Sequence, residues 1–210
     1  MGPGPGTTTQ SFAERGLKIT AVEPGIELAR LARERFSRFE DVEIINETFE
    51  AWTDTCPSGD FAAIVAAQSF HWLDRATAFP RCAELLPMDG LLVRMEHQPA
   101  GRNEIQAKRI QQDYEQYAPS LALRTKGRAP PVQPGRERFH EVSRHMYPHS
   151  KVMTADEYIE LLGTYSDHVT MPESERTALF DAIQTTITNE FDGQITRQYV
   201  AHVSVMERVA

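Results

Sequence analysis

Three groups of residues have types and spacings suited to chemistry. Gly2, Gly4 and Gly6 alternate with Pro3 and Pro5 ahead of residues 7–15, a stretch compatible with a helix that Gly16 would end. Glu23 closes the next short run, and the residues Ala66-Ala67-Gln68-Ser69-Phe70-His71-Trp72 close an apolar one. Glycines let a ligand come close to the backbone. A carboxylate at a strand tip can accept both hydroxyls of a ribose through charge-assisted bonds. In doubly wound sheets ligands bind outside the carboxyl ends of the strands, where all three groups fall in order. The order points to a nucleoside-bearing ligand. Simpler readings stand beside it: a terminal tail for residues 2–6, and for Glu23 an acid at the entry of the next helix. His140, His145 and His149 invite a metal reading. Pro148 keeps a helix from bringing 145 and 149 together, and no metal is assigned.

The elements that must hold these groups alternate along the chain. Residues 18–22 are β-branched and end on Glu23-Pro24-Gly25, a strand and a turn. Residues 26–36 carry Leu28, Ala32 and Phe36 as the apolar stripe of a charged helix. Residues 42–45 read as a strand and 53–59 as a turn. Residues 61–67 are apolar throughout, as expected of a strand covered on both faces. A helix over 75–86 and a strand over 91–95 follow. Such alternation predicts an α/β fold with a parallel sheet. The later residues predict a polar helix at 103–117 with Ile105, Ile110 and Tyr114 as its apolar positions, a proline-rich basic surface loop at 118–135 and an edge strand at 139–147. Thr154 and Glu157 make a capping box for a helix with Tyr158, Leu161, Leu162 and Tyr165 on its apolar face. Leu179, Ile183, Ile187 and Phe191 stripe the next helix, which Gly193 stops. Tyr199, Ala201, Val203 and Val205 alternate with polar residues in a half-exposed last strand.

Composition narrows the function classes. The chain has 210 residues, 40% hydrophobic and 25% charged, which suits one globular domain. Its net charge of −8 argues against a nucleic-acid footprint. Two cysteines, Cys56 and Cys82, predict no disulfide framework and a reducing, cytoplasmic setting. The apolar stretch at 61–70 is about half of the ~20 residues that a bilayer crossing needs. Neither a membrane nor a nucleic acid is expected as partner; a small molecule is, with a second copy of the chain as the protein partner considered.

The runs GPGPGTTTQSFAERG, ITAVEP, AAQSFHWLD and LLPMDGLLV together resemble the class I S-adenosylmethionine-dependent methyltransferases that act on small molecules. The tail, MTADEYIELLGTYSDH and ITRQYVAHVSV, is similar to the carboxyl-terminal part of that group. The resemblance implies a Rossmann-like, doubly wound, mostly parallel seven-stranded sheet with an antiparallel last strand. It implies one domain over 1–210, with a cofactor-binding half at 1–98 and substrate-side helices and strands at 99–210. S-adenosyl-L-methionine would lie against Gly2, Gly4 and Gly6, with its ribose at Glu23 and Pro24. Its adenine would lie beside Thr48, Phe49 and Glu50, and its methionine end near Gln68 and Ser69. His71 and Trp72 would front the pocket of a small methyl acceptor, which Tyr165 and Ser166 would help to line; packing of the strand end is the other reading of the pair, and core packing that of Tyr165. Thr48 stands where the family more often has an acid. The family's first strand, expected between residues 18–22 and 61–67, precedes the glycines and is not in the sequence. An N-terminally truncated fold is therefore expected, with Met1 an internal residue of a longer reading frame. A methyltransferase-fold remnant without activity and a nicotinamide-linked oxidoreductase remain as alternatives. The glycine spacing G-x-G-x-G differs from the dinucleotide pattern G-x-G-x-x-G.

Overall fold

Short β-branched runs become strands, and the helices between them bury small residues. The computed structural model describes residues 1–56, 58–74, 76–102, 104–122 and 133–210, without the side chains of 100–102 and 104. The predicted loop at 118–135 lies largely outside the described residues, as do Pro57 of the turn at 53–59, the start of the predicted helix at 75 and that of the helix at 103. The chain divides into two units: Met1–His97 with Pro131–Met146 and Ala201–Ala210, and Gln98–Pro130 with Tyr147–Val200.

In the first unit, helix α1 (Thr7–Ala13) precedes strand β1 (Ile19–Val22). Strand β2 (Val42–Ile45) pairs with β1 in parallel, Ile19 opposite Val42 through to Val22 opposite Ile45. Helix α2 (Ile26–Phe36) connects them and buries Ala29, Ala32 and Phe36 against Ala13, Ala21 and Ile44. Leu28, expected on the inner stripe, is instead 40% exposed. Alanines at the inner positions let the helix lie close to the strands, and Leu28 covers Gly25 at the helix start.

Helix α3 (Phe49–Thr53), strand β3 (Ala63–Ala67), helix α4 (Ala78–Leu85) and strand β4 (Leu91–Arg102) follow, with β3 and β4 parallel. Strands β5 (Phe139–Thr154) and β6 (Gln194–Arg208) extend this sheet in the order β3-β4-β6-β5. The end of β6 meets the start of β4, since Arg208 N–H donates to the Gly90 carbonyl (2.9 Å) and Asp89 N–H to that of Arg208 (3.1 Å). The last strand is therefore antiparallel to β4. Phe70, Phe79, Leu86, Leu92 and Phe139 fill the core below.

The architecture is α/β with parallel pairs and an antiparallel last strand. Among the described residues, however, six strands stand in two sheets, where the resemblance implies seven in one. A cavity of about 730 Å³ is lined by Thr20 and Val22 of β1, Ala63 and Val65 of β3, and Phe12 and Trp52. At one end the Met1 nitrogen donates to the Val65 carbonyl (2.8 Å) and the Gly2 N–H to the Val22 carbonyl (2.9 Å). The last strand also departs from its predicted alternation: Val200 and Met206 are buried, and residues 201–205 are all half-buried.

The second unit holds helices α5 (Glu104–Tyr117), α6 (Pro119–Ala122), α7 (Ala155–Gly163), α8 (Ser166–Val169) and α9 (Glu173–Glu190). The predicted capping box is present: Glu157 N–H donates to the Thr154 hydroxyl and Thr154 N–H to the Glu157 carboxylate. Leu179, Ile183 and Ile187 are fully buried, with Ile110, Tyr158 and Leu162 across from them. One acid lies among these apolar groups. Asp113 is 4% exposed and accepts from Thr186 and Arg109, each at 2.8 Å, so its buried charge is compensated.

Two measurements check this packing. Gly6 has φ +89°, and a Cβ there would sit 2.3 Å from the Phe36 ring. Gly6→Ala should cost about 2–4 kcal/mol in denaturant unfolding, from backbone strain and overpacking together. Burial also holds the His168 imidazole below its usual 6.5. The unfolded chain then takes up the proton first, so stability is full above pH 6.5 and falls as pH drops through it. In unfolding experiments from pH 7.5 to 5, His168→Gln should flatten that decline.

Candidate functional site

The tip of β1 organises one end of the first unit. Glu23 is 5% exposed, and its two carboxylate oxygens have different backbone donors. Oε2 accepts from Gly4 N–H and Oε1 from Gly25 N–H, each at 2.9 Å. One side chain thus ties the glycine loop to the start of α2, where Gly25 is the N-cap residue. The parallel register places Asn46 beside Glu23, and the Asn46 Nδ2 donates to the carbonyls of Glu23 (2.9 Å) and Pro24 (3.2 Å). Sequence reasoning missed Asn46. The pairing of Val22 with Ile45 is the signal that finds it, since each strand is followed by its polar residue.

The glycine loop is closely fitted at two positions and open at a third. A Cβ on Gly2 would lie 2.5 Å from that of Ser69, and one on Gly6 would enter the Phe36 ring. At Gly4, with φ +55°, nothing stands within 4 Å. The Gly6 N–H closes a turn onto the Pro3 carbonyl (3.0 Å), and Arg35 of α2 donates to the carbonyl of Pro5 (3.2 Å). The N–H groups of Gly2, Gly4 and Gly6 are therefore taken up by Val22, Glu23 and Pro3, and Gly4 supplies the open space. Pro24 is exposed beside it.

The end of β3 approaches the same loop. Ser69 is buried and donates its hydroxyl to the Met1 carbonyl (2.8 Å). Gln68 holds φ +54°, a conformation that side chains seldom adopt, and donates to the His97 carbonyl (2.8 Å). Phe70 is buried under the Arg94 guanidinium, 4.5 Å from its ring centre. That anchor turns His71 and Trp72 outward; Trp72 is 79% exposed and its ring stands 5.1 Å from that of His71. Packing of the strand end therefore falls to Phe70 and not to the pair.

Residues 48–50 are placed by α3. Thr48 caps the helix by accepting from Ala51 N–H (3.2 Å), and Phe49 is buried in the core. Glu50 accepts from Asp74 N–H (3.1 Å), which joins α3 to the segment bearing His71 and Trp72. Tyr165 lines a separate cavity of the second unit. Ser166 opens α8, and its carbonyl accepts from Thr170. Among the described residues, no group of three or more His, Cys, Asp or Glu side chains could hold a metal ion. No helix among them is long and apolar enough to cross a membrane.

Comparison with known proteins shows what the chain is similar to. Residues 1–90 match the model of a methyltransferase domain. The chain is 25% identical over 187 residues to uncharacterized methyltransferases of Mycobacterium tuberculosis and Mycobacterium bovis, covering 88% of this chain and 70% of theirs. The fold is shared with the YcgJ protein of a Bacillus (TM-score 0.55, 15% identity, 100% of this chain and 90% of that one). It is shared also with the MccD protein (TM-score 0.54, 11% identity, 99% and 87%).

The Glu23 contacts carry a prediction about folding. A strand-tip carboxylate facing a cleft would leave stability untouched, but this one is buried and holds two backbone donors. Glu23→Ala should destabilise the protein by about 2–4 kcal/mol in chemical unfolding, because two amides lose a charged acceptor. Glu23→Gln, which keeps one acceptor oxygen, should lose about half of that.

Proposed function

We propose that the first ninety residues, which match a methyltransferase domain, form the cofactor-binding part of a class I S-adenosylmethionine-dependent methyltransferase, with the cofactor held at the strand tips around Glu23. The single observation that carries this reading is the buried Glu23 carboxylate facing the Gly4 loop. Each of its oxygens accepts one backbone N–H and keeps a further lone pair, so it has capacity for two ribose hydroxyls. The space over Gly4 is where a Cβ would otherwise stand against the ligand. On this reading Gly2 and Gly6 shape the loop from within, Pro24 borders the ribose, and Gln68 and Ser69 lie toward the methionine end. Thr48, Phe49 and Glu50 set the adenine side through the short helix that Thr48 caps.

Bound S-adenosylmethionine supplies a methyl group activated on a sulfonium. The chain itself must align a small-molecule acceptor and exclude water, since methyl transfer depends mainly on in-line positioning. His71 and Trp72 suit that role, because both are displayed at the end of β3 and Glu50 fixes the segment that carries them. The exposed Trp72 ring offers an apolar surface of the kind that ligand contact uses. A cytoplasmic setting accords with the two unpaired cysteines.

Calorimetric titration with S-adenosylmethionine, S-adenosylhomocysteine and NAD tests the reading. The two sulfur compounds should bind and NAD should not. Glu23→Gln should weaken their binding roughly ten- to a hundredfold, the equivalent of ~1.5–3 kcal/mol in charged hydrogen bonds. Trp72→Ala should leave cofactor affinity unchanged and lower acceptor turnover. Tight binding of NAD alone would favour the oxidoreductase.

A further inference from the structure

The second unit contains a cavity whose chemistry is separate from the strand tips of the first. It measures about 330 Å³, at the lower end of the range for small-molecule sites. Ile110, Leu162 and Ile195 give it apolar walls, and Tyr114, Tyr158 and Tyr165 add aromatic ones. Two basic groups also line it. His168 is 6% exposed, donates or accepts through Nε2 at 2.7 Å from the Tyr114 hydroxyl, and has no partner for its buried Nδ1 among the described residues. Burial keeps that ring neutral near pH 7.

Arg197 is the distinctive residue. Its half-buried guanidinium lies over the rings of Tyr158 (5.5 Å) and Tyr199 (5.6 Å). Among the described residues the groups that act on its charge are the tyrosines 158, 165 and 199, Tyr165 through a hydrogen bond, and no carboxylate is among them. Asp167, which also lines the cavity, is exposed. A cation held among apolar and aromatic groups without a carboxylate is costly unless an anion reaches it. Guanidinium also matches a carboxylate in a planar, two-bonded geometry. We propose that this cavity binds a small amphipathic carboxylate, its anionic end on Arg197 and its apolar body between Ile110, Leu162 and the tyrosine rings. This binding stands independently of the methyl-transfer reading above.

The test uses octanoate and phenylacetate as probes, with octanamide and phenylacetamide as their neutral counterparts. Binding to the full chain is followed by calorimetry and by ligand-observed NMR. At least one carboxylate should bind ten times or more tighter than its amide, and Arg197→Gln should remove that difference while Arg197→Lys restores part of it. Equal binding of acid and amide, or no binding of either by the folded protein, overturns the proposal. Should Arg197→Gln fail to fold, the acid-to-amide ratio of the parent chain decides alone. Titration with S-adenosylhomocysteine in parallel separates the two readings. Carboxylate binding without S-adenosylhomocysteine binding would remove the methyl-transfer reading and leave this one standing, and the reverse result would do the opposite.

Discussion

A single buried carboxylate fixes the end of the first unit on which the proposed site is built. Glu23 lies at the tip of β1 with 5% exposure, and it accepts from Gly4 on one side and Gly25 on the other. Those two amides belong to the loop before α1 and to the start of α2. Without the carboxylate, both would be left with an unmet donor in a half-buried place. Around this clamp the other contacts fall into sequence. Asn46 holds the backbone of Glu23 from β2, and Ser69 reaches the loop from β3 through the Met1 carbonyl. Three strand tips are thereby drawn together by short polar bonds, as ligand sites at the carboxyl ends of such strands require.

This changes what the glycines contribute. A glycine-rich loop ahead of a helix is usually read as a cradle of N–H donors. Here the amides of Gly2, Gly4 and Gly6 donate to Val22, Glu23 and Pro3. Their value is spatial. Gly2 and Gly6 allow Ser69 and Phe36 to pack where a side chain would collide, and Gly4 keeps one surface open. The loop is thus a rim whose shape a ligand at the proposed site would meet, as in a site that is preformed before binding.

Much of this was legible in the residues. Strand and helix order followed from periodicity, the capping box from Thr154 and Glu157, and the stripe of α9 from Leu179, Ile183 and Ile187. The order of the residues placed Glu23 and the His71-Trp72 pair after strands, and they follow β1 and β3, whereas no strand precedes the glycines among the described residues. What escaped depends on contacts between distant residues. Leu28 looks like an inner position on a helix of period 3.6, yet alanines at 29 and 32 bring α2 closer to the strands. The phase of β6 was missed because half-burial along 201–205 erases the alternation that a sequence reading relies on. Asn46 could be found only through the register of β1 with β2. Arg197 drew no notice because its meaning lies in the tyrosines that surround it.

The central claim is that the Glu23 clamp and the open face of Gly4 form the cofactor site. Backbone amide NMR, recorded while S-adenosylhomocysteine is added, tests it most directly. The account predicts that the largest shifts fall on Gly4, Glu23 and Gly25, with smaller ones at Gln68 and Ser69. It predicts also that the Gly4 and Gly25 amides are slow to exchange with solvent before any ligand is present. Saturable binding whose shifts leave Gly4, Glu23 and Gly25 unmoved, or fast exchange of those two amides in the free protein, would contradict it.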